Sequence, residues 1–333
     1  LQGAAMPHNP PPDSEMQPGR ESMPKGYRSN DRSNRGRPAA PPGGAGLADA
    51  LDAPRRALQS DRYGRIAYYV AEPPASGSTR PLLLIHSINA APSSYEVRPL
   101  FEHFRSRRPV FSIDLPGFGH SERSDRRYTP ELYAGAINEL LERVVGRTAD
   151  AVALSLSAEF AARAALAAPQ RFASLVLISP TGFSSRALPS PKIGRLAHGA
   201  LTLPLWGQGL FDLVASRASI RYFLGQSFIG SPPQDLIDYA YATAHRPGAR
   251  HAPLTFLSSQ LFTRDALHAL YAKLTALPVL AIADRDPYVT FERLAGFASA
   301  RPNWQHRSLT PHMGLPHWER PDSTFQALEQ FWG

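Results

Sequence analysis

The sequence predicts an α/β fold: a mostly parallel, twisted sheet with helices on both faces and a helical cap insertion. Three observations carry this. Short apolar runs alternate with segments of helical spacing from about residue 60 onward. Several of those runs, such as "PLLLIHS" and "SLVLIS", are almost continuously apolar, as in strands buried on both faces. Between about 183 and 265 the alternation fails and the chain becomes apolar, aromatic and Pro-punctuated, which marks an insertion.

Residues 1–55 are rich in Pro, Gly, Ser, Asn and Arg and poor in large apolar side chains, so they read as a disordered tail. The domain is expected over 56–333, with the cap at about 183–265. "GRIAYYV" (64–70) reads as the first strand and "PLLLIHS" (81–87) as a buried one. "SSYEVRPLFEHF" opens with Ser93 and Glu96 at capping-box spacing and reads as a helix. "PVFSID" (109–114) is the next strand. The helix over 129–145 has Pro130 in its first turn. Strand 151–155, helix 156–168 and strand 174–179 follow. After the insertion come strand 278–283, helix 289–300, strand 304–310 and a last helix from Ser323.

Composition narrows the chemistry. The chain has 333 residues, 43% of them hydrophobic, enough for a large core. Cysteine is absent, which rules out disulfides, thiolate metal sites and a cysteine nucleophile. The net charge of +8 comes without a basic block or a nucleic-acid motif, so arginine-rich solvation is expected and nucleic-acid binding is not. No apolar run reaches transmembrane length. The first twenty residues lack the charged-then-apolar pattern of a signal peptide, so a cytoplasmic location is expected.

In open parallel sheets, sites form beyond the carboxyl ends of the strands. The strands here end in His86-Ser87, Asp114, Ser155, Asp284-Arg285-Asp286 and Pro311-His312. Serine, carboxylate and histidine thus occur in that order at successive strand ends. A nucleophilic serine needs a base, and the base needs an orienting carboxylate. Ala153 and Ser157, two residues either side of Ser155, are both small, as a sharp strand-to-helix turn requires. Centring the turn on Ser157 would put the bulky Glu159 there. The plainer alternative for Ser155 is a structural serine at a strand end.

Four motifs together resemble the α/β-hydrolase superfamily over about residues 60–333. They are "LLLIHS" followed by "SSY", "DLPGFGHS" (114–121), "ALSLS" at the nucleophile elbow, and "LPHWERP" (315–321). The resemblance implies that Ser155 is the nucleophile and Asp286 the acid, with Asp284 as fallback. It places the oxyanion donors at the Leu156 and Ile88 N–H groups. Members often read His-x-Pro-x-x-Glu-x-Pro, and that pattern puts Gly314 in the histidine's place, so the base is expected from His312, two residues earlier. Ser87 and Ser157 also stand where glycine is usual. His317 is expected to pack or cap, and His86 and Asp114 to brace loops. His103, His198, His245, His251 and His268 show no ligand spacing, and neither cofactor nor metal is expected.

The implied activity is cleavage of a small apolar carboxylic ester, or a related carbonyl substrate, through an acyl-enzyme. A cap rich in Leu, Phe, Trp and Tyr favours a hydrophobic or aromatic moiety. Carbon–carbon bond hydrolysis and perhydrolysis share these motifs. A catalytically weak or inactive member that binds an apolar ligand is the alternative, motivated by Ser87, Ser157 and Gly314.

Overall fold

The computed structural model describes residues 46–73, 80–185 and 207–333, with isolated positions between 190 and 199. Most of the expected tail and part of the expected cap lie outside the described residues. Eight strands form one sheet: β1 (Arg55–Ser60), β2 (Gly64–Ala71), β3 (Leu82–Ile85), β4 (Val110–Ile113), β5 (Ala149–Leu154), β6 (Phe172–Ile178), β7 (Val279–Ile282) and β8 (Trp304–Arg307). Their order is β1-β2-β4-β3-β5-β6-β7-β8. β2 pairs antiparallel with both β1 and β4, and every other pairing is parallel.

The central strands are buried along their whole length because both sheet faces are covered. Successive side chains of a strand point to opposite faces. Accordingly Leu83, Ile85, Ala151, Ala153, Leu175 and Leu177 join one core, with helices α2 (Pro130–Leu140) and α3 (Ser157–Ala167). Leu82, Leu84, Val152, Leu154, Val176 and Ile178 join the other. Helices α1 (Arg98–Phe104) and, at the carboxyl end, α10 (Pro321–Trp332) cover that second face. The start of β5 is clamped to the last helix. Buried Asp150 pairs with Arg108 and accepts from Ser174 Oγ at 2.6 Å. The Arg108 guanidinium lies 4.7 Å over the Trp332 ring, whose Nε1 donates to the same Ser174 Oγ.

Two elements differ from expectation. β1 was not anticipated, since only Leu58 of "RRALQS" is buried and an exposed edge strand carries no apolar run. Residues 46–54, expected within the tail, are held by the domain: Ala50 and Leu51 are buried, Ala50 N–H donates to the Tyr69 hydroxyl at 2.9 Å, and Tyr239 donates to Ala48 O at 2.8 Å. Other boundaries shift by a few residues. The expected helix 289–300 is helical over Leu294–Ser299 (α9), and strand 304–310 ends at Arg307.

Between β6 and β7 the described residues form helices α4 (Gly207–Val214), α5 (Arg217–Gln226), α6 (Gln234–Ala244), α7 (His251–Leu257) and α8 (Ala266–Ala269). The Tyr95 ring stacks 4.6 Å from that of Tyr239 on α6, and its hydroxyl donates to Asp235 at 2.8 Å. No helix among the described residues is long and apolar enough to cross a membrane.

Candidate active site

Ser155 follows the last residue of β5 and has φ +50°, in the left-handed region that a non-glycine residue rarely occupies. Such a conformation costs on the order of 1–3 kcal/mol and persists only where the surroundings enforce it. Here the Ser155 N–H donates to Ile178 O at 2.8 Å, and its carbonyl accepts from Ala158 N at 3.1 Å. Helix α3 begins two residues later. Ala153 and Ser157 are completely buried, so larger side chains there would collide with the packed turn. Among the described residues, no hydrogen-bond partner engages Ser155 Oγ, and no acceptor takes the Leu156 N–H at the entrance of α3.

Beyond β3, the turn from His86 to Asn89 is braced from below. His86 Nε2 accepts from Leu115 N at 3.0 Å, which leaves Nδ1 to donate to Ser87 O at 2.6 Å. Glu96 holds the turn from the side: one carboxylate oxygen accepts from Ser87 N at 2.9 Å, the other from Asn89 Nδ2 at 2.7 Å. This corrects the capping-box reading. Ser93 Oγ does accept from Tyr95 N, but Glu96 turns away from the helix end because the buried turn offers it two donors. Its spacing gave no sign of this role, and Glu96 is the site residue that sequence reasoning missed. The Ile88 N–H has no acceptor among the described residues.

Asp114 braces the neighbouring loop, accepting from Ser94 N and His120 N at 2.8 Å each. Gly119, at φ +51°, lies against it; a Cβ there would stand 2.1 Å from the Asp114 carboxyl carbon. That close approach accounts for the second glycine of "DLPGFGHS".

Asp286 lies in the loop after β7. Its Oδ1 accepts from Tyr288 N at 2.8 Å and Val289 N at 3.1 Å. Burial pushes its pKa up, and the two N–H groups pull it down; no cation pairs with it among the described residues. Its other oxygen faces Gly314: a Cβ on Gly314 would lie 2.7 Å from Oδ2 and 3.5 Å from Ser227 Cβ. The position that the family pattern gives to histidine therefore abuts Asp286 in space, with no side chain on it.

His312 is not brought to that place. It is fully buried, and its hydrogen bonds go elsewhere. Its N–H donates to Asp284 Oδ2 at 3.2 Å and its Nδ1 to Met313 O, while Nε2 is buried without a partner among the described residues. Among the described residues it makes no hydrogen bond with Ser155 or Asp286. Two carboxylates fix the loop in this path. Asp284 takes the His312 N–H, and Glu319 takes the Met313 N–H at 2.8 Å as well as the Ile229 N–H. The expected fallback acid thus ties down the loop that carries the expected base.

His317 packs beneath. It is fully buried, and its Nε2 donates to Glu96 O at 2.8 Å. Burial, outweighing that hydrogen bond, lowers its pKa to about 4. The unfolded chain protonates this histidine near 6.5, so between about pH 6.5 and pH 4 it binds a proton that the native state refuses. Stability should fall with pH across that window, by up to about 3 kcal/mol. Urea unfolding of wild type and His317→Gln at both ends of the window checks this. The stability gap between them should narrow at the acid end, and an unchanged gap would show that His317 does not carry the effect.

β5 and β7 flank β6, so their aligned ends at Leu154 and Ile282 stand about 10 Å apart, two strand spacings; Ser155 follows the first directly and Asp286 lies in the loop after the second.

The fold is that of the α/β hydrolases, and the comparisons agree. The model of the alpha/beta hydrolase family matches residues 82–327, and the chain belongs to that family. It is 32% identical over 119 residues to the esterase Rv0045c of Mycobacterium tuberculosis, covering 34% of this chain and 40% of the relative. It is 29% identical over 103 residues to the uncharacterized hydrolase YugF of Bacillus subtilis, covering 31% and 38% respectively. The matches thus span about two-fifths of each relative. Among solved structures, a probable hydrolytic enzyme from Pseudomonas aeruginosa PAO1 superposes with a TM-score of 0.66 at 19% identity, covering 85% of this chain and 95% of that one. A serine hydrolase involved in carbazole degradation gives 0.66 at 15% identity, covering 84% and 99%. Likenesses at such identities establish the fold.

Proposed function

We propose that the chain is a serine hydrolase of small apolar carbonyl substrates, carboxylic esters first among them, that works from an incomplete triad. Ser155 is the nucleophile, the Leu156 and Ile88 N–H groups receive the oxyanion, and Asp286 is the acid. The residue of this chain at the base position is Gly314. One observation carries the reading: the Asp286 oxygen that would orient an imidazole lies against Gly314, and no histidine among the described residues hydrogen-bonds to it.

The chemistry follows from what is retained. Attack of Ser155 Oγ on the carbonyl puts negative charge on the carbonyl oxygen. Two N–H groups without acceptors among the described residues, one of them at the start of α3 where the helix dipole favours negative charge, stabilise it. Without a positioned base the Ser155 proton leaves to solvent, which is slow. Hydrolases stripped of one triad member still retain about 10³–10⁴-fold catalysis over water. An apolar or aromatic substrate is favoured by Tyr222, Phe223 and Tyr288, which are exposed near Asp286, with the Tyr288 hydroxyl donating to Phe223 O at 3.0 Å. A second reading, a binding protein that keeps the pocket without turnover, is favoured by the same uncompensated Asp286.

A panel of p-nitrophenyl esters tests the reading. Slow turnover should appear on the shorter acyl chains, vanish in Ser155→Ala, and stay within about twofold of wild type in a folded His312→Ala protein, since a residue that takes no part in proton transfer leaves the chemical step unchanged. Ligand-induced thermal stabilisation with no turnover at all would favour the binding protein. A loss of a hundredfold or more in His312→Ala would restore His312 as the base.

A further inference from the structure

We propose that His317 and Trp318 are positioning residues for the turn that presents the Ile88 N–H: together they hold the Glu96 peptide, and Glu96 holds the turn. This rests on the reading above that the Ile88 N–H receives the oxyanion. It gives a role to the "LPHWERP" segment, which the triad leaves without one.

Four hydrogen bonds make up the path. The Trp318 indole Nε1 donates to Glu96 O at 2.7 Å, and His317 Nε2 donates to the same oxygen at 2.8 Å. At the other end of the same residue, one carboxylate oxygen accepts from Ser87 N at 2.9 Å and the other from Asn89 Nδ2 at 2.7 Å. Ile88 lies between those two donors in the chain. Asn89 also closes the turn on itself: its Nδ2 donates to Ser87 Oγ at 2.9 Å, and its Oδ1 accepts from Ala91 N at 2.8 Å. The local sequence explains why the Glu96 carbonyl is open to side chains. Glu96 lies in a 3₁₀ turn over Ser94–Val97. At that spacing the donor to its carbonyl would be Pro99, which has no N–H. Two side chains from near the end of the chain donate there.

Both donors are themselves fixed. His317 is fully buried. The Trp318 ring stacks on Tyr95 at 6.3 Å with 14° between the planes, and Tyr95 stacks in turn on Tyr239. One donor is enough to spare a buried carbonyl the cost of lost hydration. Two donors on one oxygen also constrain its direction, because each N–H prefers a near-linear approach. With that peptide fixed, the carboxylate has only its side-chain torsions left, and the bonds to Ser87 and Asn89 set those. Oxyanion donors work over a window of about 2.7–3.1 Å, so a shift of a few tenths of an ångström in the turn is enough to lose one.

The test uses the full chain and three variants. Trp318→Phe removes the indole N–H and keeps a ring against Tyr95. His317→Leu removes the imidazole N–H, and His317→Gln puts an amide N–H in the place of Nε2. Hydrogen exchange of the turn at 86–91 is read by mass spectrometry, with β5 as the internal reference, alongside kcat and KM on p-nitrophenyl butyrate. Thermal melts confirm folding, and Trp318→Phe keeps the test decisive if a His317 variant fails to fold. Trp318→Phe should speed exchange in the turn by about tenfold relative to β5, the worth of one hydrogen bond. It should lower kcat by about tenfold with KM nearly unchanged, a part of what a lost oxyanion donor costs. His317→Leu should do the same, and His317→Gln should recover most of both. Exchange in the turn that only tracks β5, with kcat unchanged, reduces both residues to packing and overturns the proposal. Local exchange without a change in a Ser155-dependent kcat overturns it too. If wild type shows no Ser155-dependent turnover, the hydrolase reading has failed, and local exchange alone decides whether His317 and Trp318 hold the turn.

Discussion

Gly314→His should raise kcat on p-nitrophenyl butyrate by about 10²–10⁴-fold, the usual contribution of a positioned general base. Gly314 does not occupy the left-handed region, so the backbone accepts a side chain there. The new Cβ would meet Asp286 Oδ2 at 2.7 Å, too close by a few tenths of an ångström. That oxygen is the unanchored end of the carboxylate, and a small rotation about the Asp286 side chain relieves the contact. The imidazole Nδ1–H then faces the acid, and Nε2 points toward the serine. Ser155→Ala in this background should abolish the gain. Asp286→Asn should remove most of it, by about 10⁴-fold where the acid fixes the tautomer. Steady-state kinetics, with circular dichroism and thermal melts as controls for folding, decide the matter. A folded Gly314→His protein with no gain would mean that Ser155 is not a nucleophile.

The next largest effect is expected at Glu96, which on the proposed reading is a positioning residue for the turn that receives the oxyanion. Its carboxylate takes the Ser87 N–H and the Asn89 side chain, and so fixes the peptide that presents the Ile88 N–H. In Glu96→Ala both donors lose their acceptor inside a buried turn, at a cost of about 1–3 kcal/mol. The Ile88 N–H is then free to turn away from the oxyanion. Loss of one such donor typically costs about 10²–10³-fold in kcat. Measured in the Gly314→His background, Glu96→Ala should lower kcat by about 10²-fold and leave KM nearly unchanged. Glu96→Gln, which keeps one acceptor oxygen, should lie between. A variant that loses stability but keeps kcat would reduce Glu96 to a purely structural role.

Both predictions concern residues whose significance the sequence conveyed unequally. The sheet was legible because its strands are buried on both faces, and continuous apolar runs such as those at 82–85 and 174–178 follow directly from that burial. β1 was not, because an edge strand with one buried residue leaves no periodic signal. The elbow geometry was legible in part: small residues around Ser155 are the sequence trace of the turn that its positive φ requires. The departure at Gly314 was also visible in the pattern. What periodicity and spacing could not convey was the path of the following loop, which depends on which carboxylates capture the His312 and Met313 N–H groups, and those come from distant strands and turns. For the same reason Glu96 read as a helix cap, since local spacing favoured that partner and the tertiary donors at Ser87 and Asn89 prevailed.

The central claim is that no imidazole of this chain serves Ser155, and it is tested most directly by the rate at which a fluorophosphonate labels Ser155 as pH is varied. A serine assisted by histidine reacts with a rate that climbs through the imidazole pKa, near 6.5 for an unperturbed ring, and then levels off. A serine without a base reacts only as hydroxide deprotonates it. The account predicts that the logarithm of the labelling rate rises with a slope of about one from pH 5 to pH 9 without a plateau, identically in wild type and His312→Ala. A plateau above neutral pH that disappears in His312→Ala would contradict it.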